Sequence, residues 1–346
     1  MRPLVSVLMS VKDGMPFLPE AMESILGQTL GDLELIVLED GSTDGSEAIA
    51  ASYVERDSRV RLEKNPGNLG LAASLNRGLG LAGGRYFARQ DADDISLPDR
   101  LARQVAFMET SPEIDLLGAA VAPIDEKGRV MDEALDRQPR SDAAIRWKML
   151  ITNAFHHSTV MLRPEVLKGG ELRYDAGLPF AQDYDLWSRL LRRGKGANLP
   201  AGLVRFRHHP GQASQKAWGR QQGIADQVAW KNFQMMGLDR EFTARDVFLL
   251  RRVGSGLAVL SKEQRVAQLA VLRKFLSRAG SALGDDPEWR LVESRLWYNL
   301  RHVIRYWPRD AATLKVLIGT MAADPKGAVL EINNMLKILR GSRKKP

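Results

Sequence analysis

Leu33-Glu34-Leu35-Ile36-Val37-Leu38 runs straight into Glu39-Asp40-Gly41-Ser42-Thr43-Asp44-Gly45-Ser46, an apolar stretch closed by residues that favour turns. A run this short, ended this abruptly, reads as a buried strand, and residues 46–53 beyond it read as a helix. The same pair of signals recurs on both sides. Upstream, residues 4–11 form an apolar run. After Pro16 come Phe17, Leu18, Ala21, Met22, Ile25 and Leu26 at helical spacing, predicting a helix over 17–28. Downstream, 60–62 reads as a short strand, 69–81 as a helix and 84–89 as another strand. This alternation predicts an α/β fold with a doubly wound, mainly parallel sheet. Ligands of such sheets sit beyond the carboxyl ends of the strands, which is where Glu39-Asp40 falls.

A second acidic group falls there too: Arg89-Gln90-Asp91-Ala92-Asp93-Asp94, after the apolar Tyr86-Phe87-Ala88. In extended chain, residues i and i+2 point the same way, so Asp91 and Asp93 can converge on one cation. Mg²⁺ and Mn²⁺ take oxygen ligands, and Mg²⁺ is commonly held by one or two carboxylates plus substrate phosphates. The alternative is a solvated acidic turn, with Asp94 starting the bend toward Pro98.

Bulk properties narrow the class. The chain has 346 residues, 44% hydrophobic and 27% charged, the profile of a soluble globular protein with room for two domains. It holds no cysteine, so disulfides and thiolate metal sites are excluded and a cytoplasmic setting is expected. The run at 4–11 is too short for a signal peptide, and no stretch has the 18 or so apolar residues of a membrane span. The net charge of +8 is uneven: residues 1–215 hold 26 Lys and Arg against 30 Asp and Glu, while 216–346 hold 24 against 12. We therefore expect a near-neutral α/β domain over 1–215 and a basic helical region over 216–346.

The pattern loosens after residue 115. Strands are expected at 115–124, 157–162 and 203–207, with helices at 142–150 and 180–193. The rear region reads as helix throughout. Ser261-Lys262-Glu263-Gln264 has the form of a capping box, and Asp286-Pro287-Glu288 that of a helix start. Trp218, Trp230, Trp289, Trp297 and Trp307 read as core or interface aromatics. The basic balance, with Lys337, Arg340, Arg343, Lys344 and Lys345 in a closing tail, suggests docking to an anionic membrane face; a solvated basic face is the alternative. No nucleic-acid-binding module is present.

Four segments occur in order: Val5-Ser6-Val7-Leu8-Met9-Ser10; residues 34–46; Asn68-Leu69-Gly70-Leu71-Ala72-Ala73-Ser74-Leu75-Asn76-Arg77-Gly78 leading to the acidic cluster; and Gln182-Asp183-Tyr184-Asp185-Leu186-Trp187. Over residues 3–215 the chain resembles the family 2 glycosyltransferases, nucleotide-sugar-dependent enzymes of the GT-A fold. The resemblance implies that Asp40 accepts the imide N–H of uracil, with Ser10 and Lys12 framing the base. The family usually places an aromatic residue where Lys12 stands. It implies that Asn68, Gly70 and Asn76 belong to the segment covering the nucleotide. Asp93 would bind Mn²⁺ or Mg²⁺, with Asp91 on the ribose or a water of the metal. Asp183 resembles the catalytic base, here preceded by Gln182 instead of the usual Glu; capping of its helix is the rival role. Asp185 is the weaker candidate.

Arg207-His208-His209, before Pro210-Gly211 and Ser214, resembles a loop that closes over the diphosphate, with His209 able to complete the metal shell. His156-His157 reads as structural or acceptor-side. The implied activity is inverting transfer of a sugar, UDP-linked by resemblance, to a saccharide or lipid-linked acceptor in bacterial cell-surface polysaccharide or lipopolysaccharide biosynthesis. A non-catalytic scaffold of a membrane-associated assembly complex is the alternative. A sugar nucleotidyltransferase fits less well, because Lys12-Asp13-Gly14-Met15-Pro16 is a poor phosphate loop.

Overall fold

The computed structural model describes residues 2–131, 135–167, 170, 172–212, 218–254, 261–290, 292–293 and 296. The basic residues from 337 onward, Ser214, Trp297 and Trp307 lie outside the described residues. The chain forms two compact units, Met1–Arg146 with Asn153–Val228, and Trp147–Thr152 with Ala229–Pro346. The first unit runs past residue 215 because the start of helix α7 (Trp218–Met235) belongs to it, with Arg220 lying 5.6 Å from the Phe180 ring.

The first unit is built on an eight-stranded mixed sheet of order β3-β2-β1-β4-β7-β6-β8-β5. Strands β1 (Val5–Val11), β2 (Leu33–Glu39), β3 (Val60–Lys64) and β4 (Tyr86–Arg89) pair in parallel. Strands β6 (Ile114–Ile124) and β8 (Lys195–Arg207) are also parallel. The two-residue strands β5 (Ile95–Ser96) and β7 (Met161–Leu162) run antiparallel to their neighbours.

Period-two alternation sorts the apolar residues onto two faces. Val5, Val7, Met9, Leu35 and Val37 pack with Leu18, Met22 and Ile25 of α1 (Leu18–Leu26), Tyr53 of α2 (Ser46–Arg56), and Leu101, Val105 and Met108 of α4 (Arg100–Thr110). Leu8 and Leu38 meet α3 (Leu71–Leu81) on the other face, where a Cβ at Gly78 would sit 2.6 Å from Leu38 Cδ1. Glycine there lets the helix seat directly on the sheet. Each such buried Leu or Val contributes about 1.5–3 kcal/mol.

Four elements depart from the expected pattern. The stretch 157–162 is a 3-10 turn, His157–Thr159, followed by β7. Thr159 Oγ1 donates to His156 O at 2.8 Å and accepts Ala119 N–H at 3.0 Å, drawing the backbone out of the ladder. Strand β8 begins at Lys195, not 203, because Pro200 and Gly202 interrupt an apolar pattern that the sheet carries through with bulges. Helix α4 and strand β5 are not among the expected elements, and the helix expected at 142–150 is α5 (Asp142–Lys148).

The second unit carries the end of α7, α8 (Ala244–Gly254) and α9 (Lys262–Leu283). The capping box forms as read: Gln264 N–H donates to Ser261 Oγ and Ser261 N–H to Gln264 Oε1. Asp286 Oδ1 accepts Glu288 N–H at 2.8 Å. Phe275 packs against Trp147, Phe233, Phe242 and Trp289, with ring centroids 5.3–6.4 Å apart across the cluster. Trp289 is buried in this core, whereas Trp218 is exposed and Trp230 half-buried. No helix among the described residues is long and apolar enough to cross a membrane.

Candidate active site

The carboxyl ends of β1, β2 and β4 carry three loops, and the polar side chains of those loops fix one another. After β1, the Lys12 ammonium donates to Gly41 O and pairs with Asp13 at 3.4 Å. Asp13 Oδ1 accepts Thr43 N–H at 2.7 Å, which holds its carboxyl below the usual range. Ser10, half-buried, lies opposite Leu38. After β2, Asp40 is 2% exposed. Its Oδ1 accepts Asn65 Nδ2 at 2.8 Å and Leu69 N–H at 2.7 Å, and its Oδ2 accepts Gly70 N–H at 2.9 Å. An ionised carboxylate offers about four acceptor sites, so one is left on Oδ2.

Gly70 needs its φ of +85°, which a side chain resists, although a Cβ would meet nothing within 4 Å. Asn68 Oδ1 accepts the same Gly70 N–H at 3.2 Å. Asn76 is spent elsewhere: its Nδ2 donates to Tyr174 O at 2.8 Å and its Oδ1 accepts Tyr174 N–H at 2.9 Å. It therefore ties α3 to the loop bearing Tyr174.

After β4, the acidic loop is wrapped around Gln90, which is fully buried. Gln90 Nε2 donates to Asp91 O at 3.0 Å and Asp94 O at 2.8 Å, and Oε1 accepts Ser96 Oγ at 2.7 Å and Arg100 Nη1 at 2.8 Å. Burial pulls the Arg100 guanidinium down to about 9. Asp91 Oδ1 accepts Arg89 Nη2 at 2.5 Å. Asp93 Oδ2 lies 3.1 Å from His209 Nε2. Burial, and then the neighbouring Asp91, raise Asp93.

Asp94 does not simply start a turn. It is fully buried, accepting Ser158 Oγ and, at 2.9 Å, Arg207 N–H. Arg207 in turn donates to Asp93 O at 2.9 Å, pairs with Glu20 at 2.5 Å and stacks 4.7 Å from the Phe17 ring. Phe17 lies 4.6 Å from His209. The end of β8 is thus bolted to the acidic loop, and the bolt sets His209 against Asp93.

Asp183 sits in the first turn of α6 (Gln182–Leu190), one residue inside its start. The N-cap position belongs to Ala181, which has no side-chain cap, so Asp183 is not the cap. Its Oδ2 accepts Asn153 Nδ2 at 2.8 Å. Asp185 is buried and paired with Arg189 at 2.7 Å. His157 Nε2 lies 3.0 Å from the Tyr174 hydroxyl, and both rings meet Trp187 at about 6 Å. Burial, then Arg89, push the His157 imidazolium down; burial pushes the Tyr174 hydroxyl up. Ser158, next to His157, donates to Asp94, and Trp187 stands one turn after Asp183 on α6, so the acidic loop and the start of α6 both adjoin these rings.

Arg89, Gln90, Arg100, Asn153, His157 and Tyr174 carried no role in the motifs. Only the spacing of Leu101, Val105 and Met108 could have shown the helix that brings Arg100 in. Among the described residues no three acidic or histidine side chains cluster as a metal site. The residues that could contribute to holding a metal are Asp93 with the imidazole of His209, and Asp91 with one oxygen on Arg89; a hard cation there would take its remaining ligands from water and phosphate oxygens.

Residues 6–169 match the family model described as Glycosyl transferase family 2. The amylovoran biosynthesis glycosyltransferase AmsE of Erwinia amylovora is 36% identical over 211 residues, which is 59% of this chain and 76% of its own. The S. aureus TarS fragment 1–349, solved with UDP-GlcNAc, has a TM-score of 0.57 at 17% identity, covering 80% of this chain and 83% of its own. The mannosyltransferase PcManGT of Pyrobaculum calidifontis, solved with GDP-Man and Mn²⁺, has a TM-score of 0.55 at 17% identity, covering 94% of this chain and 87% of its own. At such identity these two structures speak for the fold.

Proposed function

We infer the activity from one premise: this chain belongs to the family 2 glycosyltransferases. It transfers a sugar from a nucleoside diphosphate, UDP in the first instance, to a hydroxyl of a saccharide or lipid-linked acceptor, with inversion at the anomeric carbon. The observation that carries this is that the acidic loop, through Asp94 and Ser158, and the start of α6, which bears Asp183 and Trp187, both adjoin His157 and Tyr174. The relative named for amylovoran biosynthesis supports a role in assembling a surface polysaccharide.

Asp40 offers its remaining acceptor site to an N–H of the base, with Ser10 and Lys12 beside it. Asp93 and His209 would hold Mn²⁺ or Mg²⁺, and Asp91 stands at the ribose. The bound cation would offset the charge that develops on the departing diphosphate. Asp183 takes the proton of the acceptor hydroxyl as that oxygen attacks, a contribution of about 10²–10⁴-fold. The donors in the two solved relatives, UDP-GlcNAc and GDP-Man with Mn²⁺, support a nucleotide-sugar donor and a divalent ion.

The test is release of nucleoside diphosphate from a panel of UDP- and GDP-sugars with Mn²⁺, with and without EDTA. Turnover of at least one UDP-sugar, abolished by EDTA, is expected. No turnover of any donor overturns the proposal, and turnover indifferent to EDTA removes the metal from it.

A further inference from the structure

Asn153 lies on the segment entering the 3-10 turn, outside every motif read from the sequence. Its amide orientation is fixed. Phe155 N–H donates to Asn153 Oδ1 at 3.1 Å, and an N–H can only donate, so the oxygen faces Phe155 and the NH₂ faces Asp183. Ala154 and Phe155 are buried, so the backbone that aims this amide is part of the core. Asp183, by contrast, stands in a first helical turn with Asn153 as its one hydrogen-bond partner among the described residues. Without that bond, nothing described here decides how its two oxygens are turned.

We propose that Asn153 is the positioning residue for the general base, engaging Oδ2 of Asp183 so that Oδ1 is presented to the acceptor hydroxyl. This rests on the base role given to Asp183 above. In the step it serves, the acceptor oxygen forms its bond to the anomeric carbon. The bond from that carbon to the diphosphate breaks, its electron pair leaving with the nucleoside diphosphate. The acceptor proton passes to Asp183 Oδ1. Asn153 exchanges no proton. It fixes geometry, which decides rate when the reacting atoms must sit about 3 Å apart; in general an N–H donated to a carboxylate stabilises the anion, the form that can act as base.

Three variants test this on the donor that turns over fastest in the panel: Asn153→Ala, Asn153→Asp and Asp183→Asn. Asn153→Ala should lose about tenfold in kcat, keep its donor KM within about twofold, and move the acid limb of its pH–rate profile to higher pH. Asn153→Asp should move that limb further, since two carboxylates at that distance hold a proton between them. A merely structural loss would lower the rate equally at every pH. The proposal is overturned if Asn153→Ala keeps wild-type kcat and profile while Asp183→Asn is inactive. If Asp183→Asn keeps near-normal turnover, the base reading itself fails and takes the proposal with it.

Discussion

The two halves of the site are built differently. In the acidic loop most polar side chains are braced, although the buried Arg89 Nε has no partner among the described residues. Gln90 makes four hydrogen bonds, Arg100 reaches Gln90, Ser96, Gln104 and Arg89 O, and Asp94 ties in Ser158 and Arg207. On α6 the Asp183 side chain has one hydrogen-bond partner among the described residues, Asn153, and the neighbouring Gln182 leaves its buried Oε1 without a partner. The acidic loop is thus pre-organised, which is what the proposed donor role needs for electrostatic stabilisation of a developing diphosphate. The proposed base, Asp183, is held by fewer fixed partners.

The contrast can be broken with two matched substitutions. Gln90→Met takes one partner each from Arg100, the Ser96 hydroxyl and two carbonyls at a fully buried position. It should cost about 3 kcal/mol, since each unsatisfied buried group costs about 1–3 kcal/mol. Gln182→Met removes an orphaned oxygen at a position 8% exposed. It should change stability by less than about 1 kcal/mol, in either direction. Urea melts of the two variants measure both. Equal losses would erase the difference between the halves.

A smaller effect sharpens the picture of the floor beneath. His157 is held neutral, its folded value pushed below the ordinary 6.5 by burial and then by Arg89. The unfolded chain therefore binds the extra proton. His157 contributes stability that is present above about 6.5 and is lost as pH falls through that value toward the folded one, at no more than about 1.4 kcal/mol per pH unit. His157→Gln, which keeps a polar partner for Tyr174, should flatten that part of the stability–pH curve. An unchanged slope would show that His157 titrates as an exposed residue does.

Much of this was legible in the chain. The alternation from residue 4 to 89 gave the strands whose ends hold the site, because buried parallel strands are local apolar runs closed by turn residues. Asp40, Asp91, Asp93 and Asp183 were legible as candidates because they lie in short local motifs that resemble those of the family. The braces were not. Gln90 looks like any polar residue beside an acid pair until Arg100 and Ser96 are seen around it. Asp94 and Arg207, far apart in sequence, meet where β5 pairs with β8, and Asn153 meets Asp183 only because a loop reaches the start of α6. Strand β8 hid behind Pro200 and Gly202, whose breaks in pattern are absorbed by its pairing with β6. What a sequence conceals here is long-range hydrogen bonding, which leaves no periodicity.

The division between a donor half and a base half is tested most directly by calorimetry of UDP binding with Mn²⁺ to the wild-type chain, Asp93→Ala and Asp183→Asn. We predict Mn²⁺-dependent binding to the wild type, its loss in Asp93→Ala, and affinity within about twofold of wild type in Asp183→Asn, since a base engaged only at the transition state contributes little to ground-state binding. Undiminished binding in Asp93→Ala, or equal loss in both variants, would contradict it.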